Sequence, residues 1–145
     1  MDTADYADLI ARLEKLTGPV RELDVAIWAM LSDPKMYRRA APGPRYSDWE
    51  SNSTGKWEPF YPALNAKYYT SSIDAKLPGE DQLYWEIEGQ KIAWCAAAFV
   101  FDPRKQLVGS GYAKTEAIAR RIAALKALAT LHSNQDHRNE PFRPA

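Results

Sequence analysis

Residues 91–101, KIAWCAAAFVF, place the tightest constraint on how this chain folds. The run carries one charge, at its first residue, and is far shorter than the roughly 20 apolar residues a membrane-crossing helix needs. A strand with one wet face alternates apolar and polar side chains, whereas this one is apolar at odd and even positions alike. It is therefore expected to be the central strand of a sheet covered on both faces, with Cys95 as a small core residue. Its neighbours read as partners. QLYWEIEG sets Leu83, Trp85 and Ile87 against Tyr84, Glu86 and Glu88, the alternation of a half-buried strand. A tight turn at Gly89-Gln90 joins the two, a second turn follows at residues 102–105, and QLVGSGYA supplies a third strand of an antiparallel meander.

The sequence on either side is helical. DYADLIARLEKL places Tyr6, Leu9, Ile10, Leu13 and Leu16 on one stripe, and after Gly18-Pro19 a second stripe holds Leu23, Ala26, Ile27, Met30 and Leu31. Gly18 is expected to stop the first helix in a left-handed conformation. Val25 and Trp28 fall off the second stripe, so that helix is expected to cover another surface, the long connection after it. Residues 34–67 contain many prolines and aromatics and show neither helical nor strand periodicity. YYTSSIDAKLPG then reads as a serine-capped helical turn ended by Pro78-Gly79. The terminal helix, TEAIARRIAALKALATL, has an aliphatic stripe of Ile118, Ile122, Leu125 and Leu128 expected on the sheet. Its second stripe, Ala119, Ala123 and Ala127, is suited to close approach by another helix. These elements make a single α+β domain over residues 1–133: a helical hairpin, a three-stranded meander and a C-terminal helix, with a flexible tail at 134–145.

Charge and cysteine content exclude several classes. The 145 residues balance 19 basic against 19 acidic groups, although residues 92–126 hold six basic against two acidic. An avid electrostatic nucleic-acid binder shows an overall excess of positive charge. One cysteine and two histidines near the C-terminus cannot build a four-ligand zinc site, so no metal and no cofactor is expected. The acidic start MDTADYADLI is unlike a signal peptide and no run is long enough to span a bilayer, which predicts a cytoplasmic protein without membrane association.

Three motifs carry the functional argument. GSGYAKT ends a strand and starts a helix with Lys-Thr, as a phosphate-binding loop does, but Ala113 precedes Lys114 and Val108 stands where the first glycine would be. Thr115, Ala119, Arg120, the pair Ala123-Ala124 and the pair Ala127-Leu128 resemble the end of a double-stranded-RNA-binding domain. In that family two lysines follow the serine or threonine and contact phosphate; here Glu116 and Ala117 replace them. Leu-x-x-Leu-Thr-Gly-Pro-x-Arg-Glu-Leu-Asp over residues 13–24, Tyr-Thr-x-Ser-Ile-Asp over residues 69–74, and the order of elements over residues 7–131 resemble small phage and prophage proteins of the α-β-α sandwich domain type. That resemblance implies a phage-encoded protein working in a bacterial cytoplasm, with no catalytic residues.

No acid–base or nucleophile arrangement stands out, since Asp24, Glu86 and Glu88 each read as solvated charge. The expectation is a non-enzymatic accessory protein that binds a host protein, in the manner of an inhibitor of a bacterial defence complex such as an anti-CRISPR. Its candidate contact residues are Tyr37, Arg38, Arg39, Arg45, Trp49, Trp57 and Tyr61, because interface cores favour Tyr, Trp and Arg. The alternatives are nucleic-acid binding through Arg104, Lys105, Lys114, Arg120 and Arg121, or a minor virion component. The competing structural role of the loop aromatics is to fold back over the sheet.

Overall fold

A computed structural model describes residues 3–40, 49–62, 66–101 and 104–138. Helices α1 (Thr3–Glu14) and α2 (Arg21–Leu31) form the N-terminal hairpin. A small antiparallel sheet follows, β1 (Tyr37–Arg39), β2 (Trp49–Ser51) and β3 (Glu58–Phe60), in that spatial order. Turns across residues 66–82 lead to the main sheet, β4 (Tyr84–Gly89), β5 (Trp94–Phe101) and β6 (Lys105–Ala113), and to the long helix α3 (Glu116–Arg138). The meander has the expected order, with β5 central and antiparallel to both neighbours. Residues 34–67, which lack a readable period, nevertheless hold three short strands; three residues are too few for alternation to register. Helix α3 also continues to Arg138, past the end of its apolar period near Ser133.

One core unites α1, α2, α3, the 69–77 turns and the inner face of the main sheet, through Leu9, Leu13, Ile27, Leu77, Ala96, Ile118, Ile122 and Leu125 among others. All three helices supply this side. The opposite face of the sheet has no covering layer among the described residues: Tyr84, Phe101, Leu107 and Tyr112 are 53–60% exposed. The expectation that β5 is covered on both faces therefore fails. Its outer side chains, Cys95, Ala97 and Phe99, are half-buried, and Cys95 lies outside the core. Alanine explains the misreading, because it is as compatible with a half-exposed face as with a core.

The alanine stripe of α3 also plays a different part. Ala119, Ala123 and Ala127 are fully buried, and the helix backbone lies against β6 rather than against another helix. A Cβ added to Gly109 would fall 2.2 Å from the carbonyl oxygen of Ala123, and one added to Gly111 would fall 2.2 Å from that of Ala119. Glycines in GSG thus allow strand and helix backbones to touch, and the motif is a packing device. Thr115 caps the helix, its Oγ1 accepting from the Ile118 N–H at 3.3 Å. Gly18 is not left-handed; among the described residues only Gly55 and Gly79 have positive φ.

The side of α2 that falls off the hairpin stripe covers the small sheet, as its sequence predicts. The Trp28 ring stacks on Phe60 at 5.6 Å and meets Tyr37 and Trp49 edge-on at 5.0 and 5.4 Å. Aromatic contacts of this geometry add to the energy of area burial. Together they tie the long connection to the domain.

Candidate interaction surfaces

The two most distinctive sequence motifs meet in the structure, and they form a support. Thr70 donates its N–H to Asp24 Oδ1 at 2.7 Å, and its hydroxyl lies 2.9 Å from the same oxygen. The Thr70 hydroxyl oxygen accepts from the Val20 N–H at 3.0 Å, satisfying a donor at the start of α2. Arg21 completes the joint, donating to the carbonyls of Ala66 and Lys67 and to Asp24. Asp24 is therefore a buried hydrogen-bonding group and not the solvated charge its position beside Arg21 suggests.

Arg121, a candidate phosphate ligand in the sequence, is fully buried. Its guanidinium donates to Glu80 Oε1 at 2.5 Å and to the carbonyls of Tyr69, Ser72 and Ile73 at 2.8–3.2 Å. It pins the YTSSID turns onto α3. Those turns are built on i to i+4 and i to i+3 bonds from Ser72 and Ser71 to the Tyr68 carbonyl, and the Ser72 hydroxyl accepts from the Asp74 N–H. Burial pushes the Glu80 carboxyl upward against the lowering pull of Arg121, and burial also lowers Arg121. The charge of Arg121 is spent inside the molecule, so it is withdrawn as a nucleic-acid contact.

The remaining cationic candidates are dispersed. Arg120 pairs with Glu116 at 3.2 Å and lies 5.6 Å over the Trp85 ring, while Lys105 pairs with Glu86 across the sheet and lies over Phe99. Arg104 and Lys114 are exposed, at opposite ends of β6. They do not form one basic face.

The loop candidates divide in two. Tyr37 and Trp49 pack inward on Trp28, together with Phe60, so they fold back on α2 and not over the main sheet. Arg38 projects from the other face of β1, donating Nε–H to Glu50 at 3.0 Å and stacking 4.1 Å over Trp57. Arg39 lies 5.6 Å over the Trp49 ring, and Tyr61 is exposed. Arg45 lies outside the described residues.

Sequence reasoning missed the open face of the main sheet. Cross-strand rows place Glu88, Cys95 and Tyr112 side by side, then Glu86, Ala97 and Ser110, then Tyr84, Phe99 and Leu107, with Phe101 beside Lys105. Tyr84 and Phe101 meet edge-on at 4.6 Å. The signal was present in the alternation of β4 and in Leu107 and Tyr112 of β6, but the assumption of a covering layer hid it.

Among the described residues no cluster of His, Cys, Asp or Glu is arranged to hold a metal, and no helix is long and apolar enough to cross a membrane. No protein-family model, curated protein or solved structure matches the chain.

Proposed function

We propose that this chain is a non-enzymatic binding protein that docks on another protein through the open face of the β4–β5–β6 sheet. The observation that carries the reading is the exposure of Tyr84, Phe101, Leu107 and Tyr112 on one continuous sheet face. Tyrosine and phenylalanine are enriched at the cores of interfaces, and an aromatic face of this kind is unusual on a protein that works alone. A protein partner suits it better than nucleic acid, because net charge is zero and Arg120, Arg121 and Lys105 are each paired with a carboxylate. Resemblance to phage α-β-α sandwich domains supports the finer form of the proposal: a phage- or prophage-encoded factor that occupies a protein of its bacterial host, as an inhibitor of a defence complex does.

The test is capture of partners by the tagged chain from a bacterial lysate treated with nuclease. Leu107→Glu alters the open face, and the double variant Arg38→Ala/Trp57→Ala alters the loop surface. Capture of one protein in stoichiometric amount, lost with the first variant and kept with the second, is the expected result. Capture that survives Leu107→Glu, or recovery of nucleic acid alone, would overturn it.

A further inference from the structure

The two edges of the main sheet are unlike. Beside β6 runs α1, with Tyr6 and Ile10 next to Leu107 and Val108, and a register shift interrupts the pairing of β6 with β5. β4 pairs with β5 without interruption from Tyr84 to Gly89, and among the described residues it has no strand on its other side. The turn that follows continues this register, the Gln90 N–H donating to the Ala93 carbonyl at 2.8 Å. Backbone groups alternate in direction along an antiparallel strand. Tyr84, Glu86, Glu88 and Gln90 therefore turn their N–H and C=O groups toward β5. Trp85, Ile87 and Gly89 turn theirs outward, where no described residue meets them.

Each side of that edge has its own chemistry. On the helix side Trp85 and Ile87 are only partly buried, and the Trp94 ring lies over Gly89, 3.0 Å from where a Cβ would stand. α3 packs chiefly on β5 and β6; over Trp85 it sets Arg120, already paired with Glu116. The result is an apolar shelf at the rim of the sheet. On the open-face side stand Glu86 and Glu88. Glu86 pairs with Lys105 across the sheet, Glu88 has no cation partner among the described residues, and Lys91 lies exposed in the turn beyond. Charge is an ordinary protection of an edge strand, and here it is of one sign. Two β4 strands joined antiparallel about Ile87 would set Glu86 against Glu88, so the edge disfavours a second copy and admits a strand of opposite charge.

We infer that β4 receives an extended segment of another protein as an added strand, one whose side chains alternate between apolar and basic. The outward groups of Trp85, Ile87 and Gly89 make the main-chain hydrogen bonds. Apolar residues opposite Trp85 and Ile87 cover the shelf, and lysine or arginine opposite Glu86 and Glu88 meets the carboxylates. The inference rests on the reading of this chain as a protein-binding module; the added strand extends the sheet beside Tyr84, so one partner can hold both the edge and the open face.

The probe is the capped peptide Thr-Val-Lys-Val-Lys-Val-Thr, whose side-chain order is the same from either end and so serves parallel and antiparallel addition alike. Titrated into the isotope-labelled full chain, it is expected to shift the amide resonances of Trp85, Ile87 and Gly89 and the indole resonances of Trp85 and Trp94, with a Kd of about 1 mM or tighter. The same peptide with glutamate in place of lysine is expected to bind about fivefold more weakly, and Glu88→Lys reverses that order. Ile87→Pro removes an outward N–H, a change that an edge strand tolerates, and abolishes binding. The dispersion of the amide spectrum confirms that each variant is folded. Absence of shifts up to about 5 mM peptide overturns the inference, as do shifts centred on another element, equal binding of the two peptides, or a Glu88→Lys variant that keeps the wild-type order. The peptide reads the edge alone and Leu107→Glu reads the open face, so the two proposals can fail separately.

Discussion

Gly111→Ala is the sharpest probe of how this fold is held together. Ordinarily alanine in a strand is favoured over glycine by about 0.5–1 kcal/mol, since it loses less backbone freedom on folding. Here the added methyl falls 2.2 Å from the Ala119 carbonyl oxygen, 2.9 Å from Ile122 Cβ and 3.0 Å from the Ala123 nitrogen. Two of the three neighbours are helix backbone, fixed by its own hydrogen bonds, and no rotamer change relieves the clash. α3 must move off β6 by about 1 Å, and a gap of that size forfeits a quarter to a half of each dispersion contact along the seam. Overpacking commonly costs about 1–3 kcal/mol, and a clash with rigid backbone belongs at the upper end, about 3 kcal/mol or more. That is a large share of the 5–15 kcal/mol typical of a domain. Urea unfolding followed by tryptophan fluorescence measures the loss, with Gly18→Ala as control, where an added Cβ meets nothing within 4 Å. The control is expected to be neutral or slightly stabilising. A Gly111→Ala loss below about 0.5 kcal/mol would refute the claim that strand and helix backbones are in contact.

Arg121→Met leaves Glu80 and three carbonyls buried without their donor and is expected to cost about 3–5 kcal/mol, whereas adding Glu80→Gln recovers only part; a double-mutant cycle in urea separates the terms. Trp28→Ala removes the ring that holds Tyr37, Trp49 and Phe60, costing about 3–5 kcal/mol, and limited trypsin digestion should then cut first at Arg38, Arg39 or Lys56. Tyr6 and Tyr69 are both raised by burial, so the folded state holds their protons more tightly than the unfolded chain. Their stabilising contribution is complete below the ordinary tyrosine pKa of about 10 and is lost as pH rises through the higher folded values, so the urea midpoint falls as pH is raised above about 10. Tyr69→Phe makes that fall shallower.

The main elements were legible because their periods are long. Stripes in α1 and α2, the alternation of β4 and the eleven-residue run through β5 each repeat often enough to be read, and the off-stripe position of Trp28 foretold its contact with the loop. Three-residue strands offer no repeat, which is why β1, β2 and β3 were invisible. Burial of charge was illegible for a different reason. Asp24 and Arg121 find their partners 46 and 41 residues away, at Thr70 and Glu80, and local spacing carries no trace of such pairs. The same pairs explain why the motifs at residues 13–24 and 69–74 look so specific: they encode a joint between α2, the turns and α3. The open face was hidden by alanine, which does not declare which side of a sheet is wet.

The most direct test of the proposed docking face is hydroxyl-radical footprinting of the chain, alone and with its captured protein partner at equal concentration. Reduced oxidation at Tyr84, Phe101, Leu107 and Tyr112, with Trp57 and Tyr61 unchanged, is the expected result. Protection of Trp57 and Tyr61 while the sheet face stays fully reactive would contradict it and return the interface to the loop.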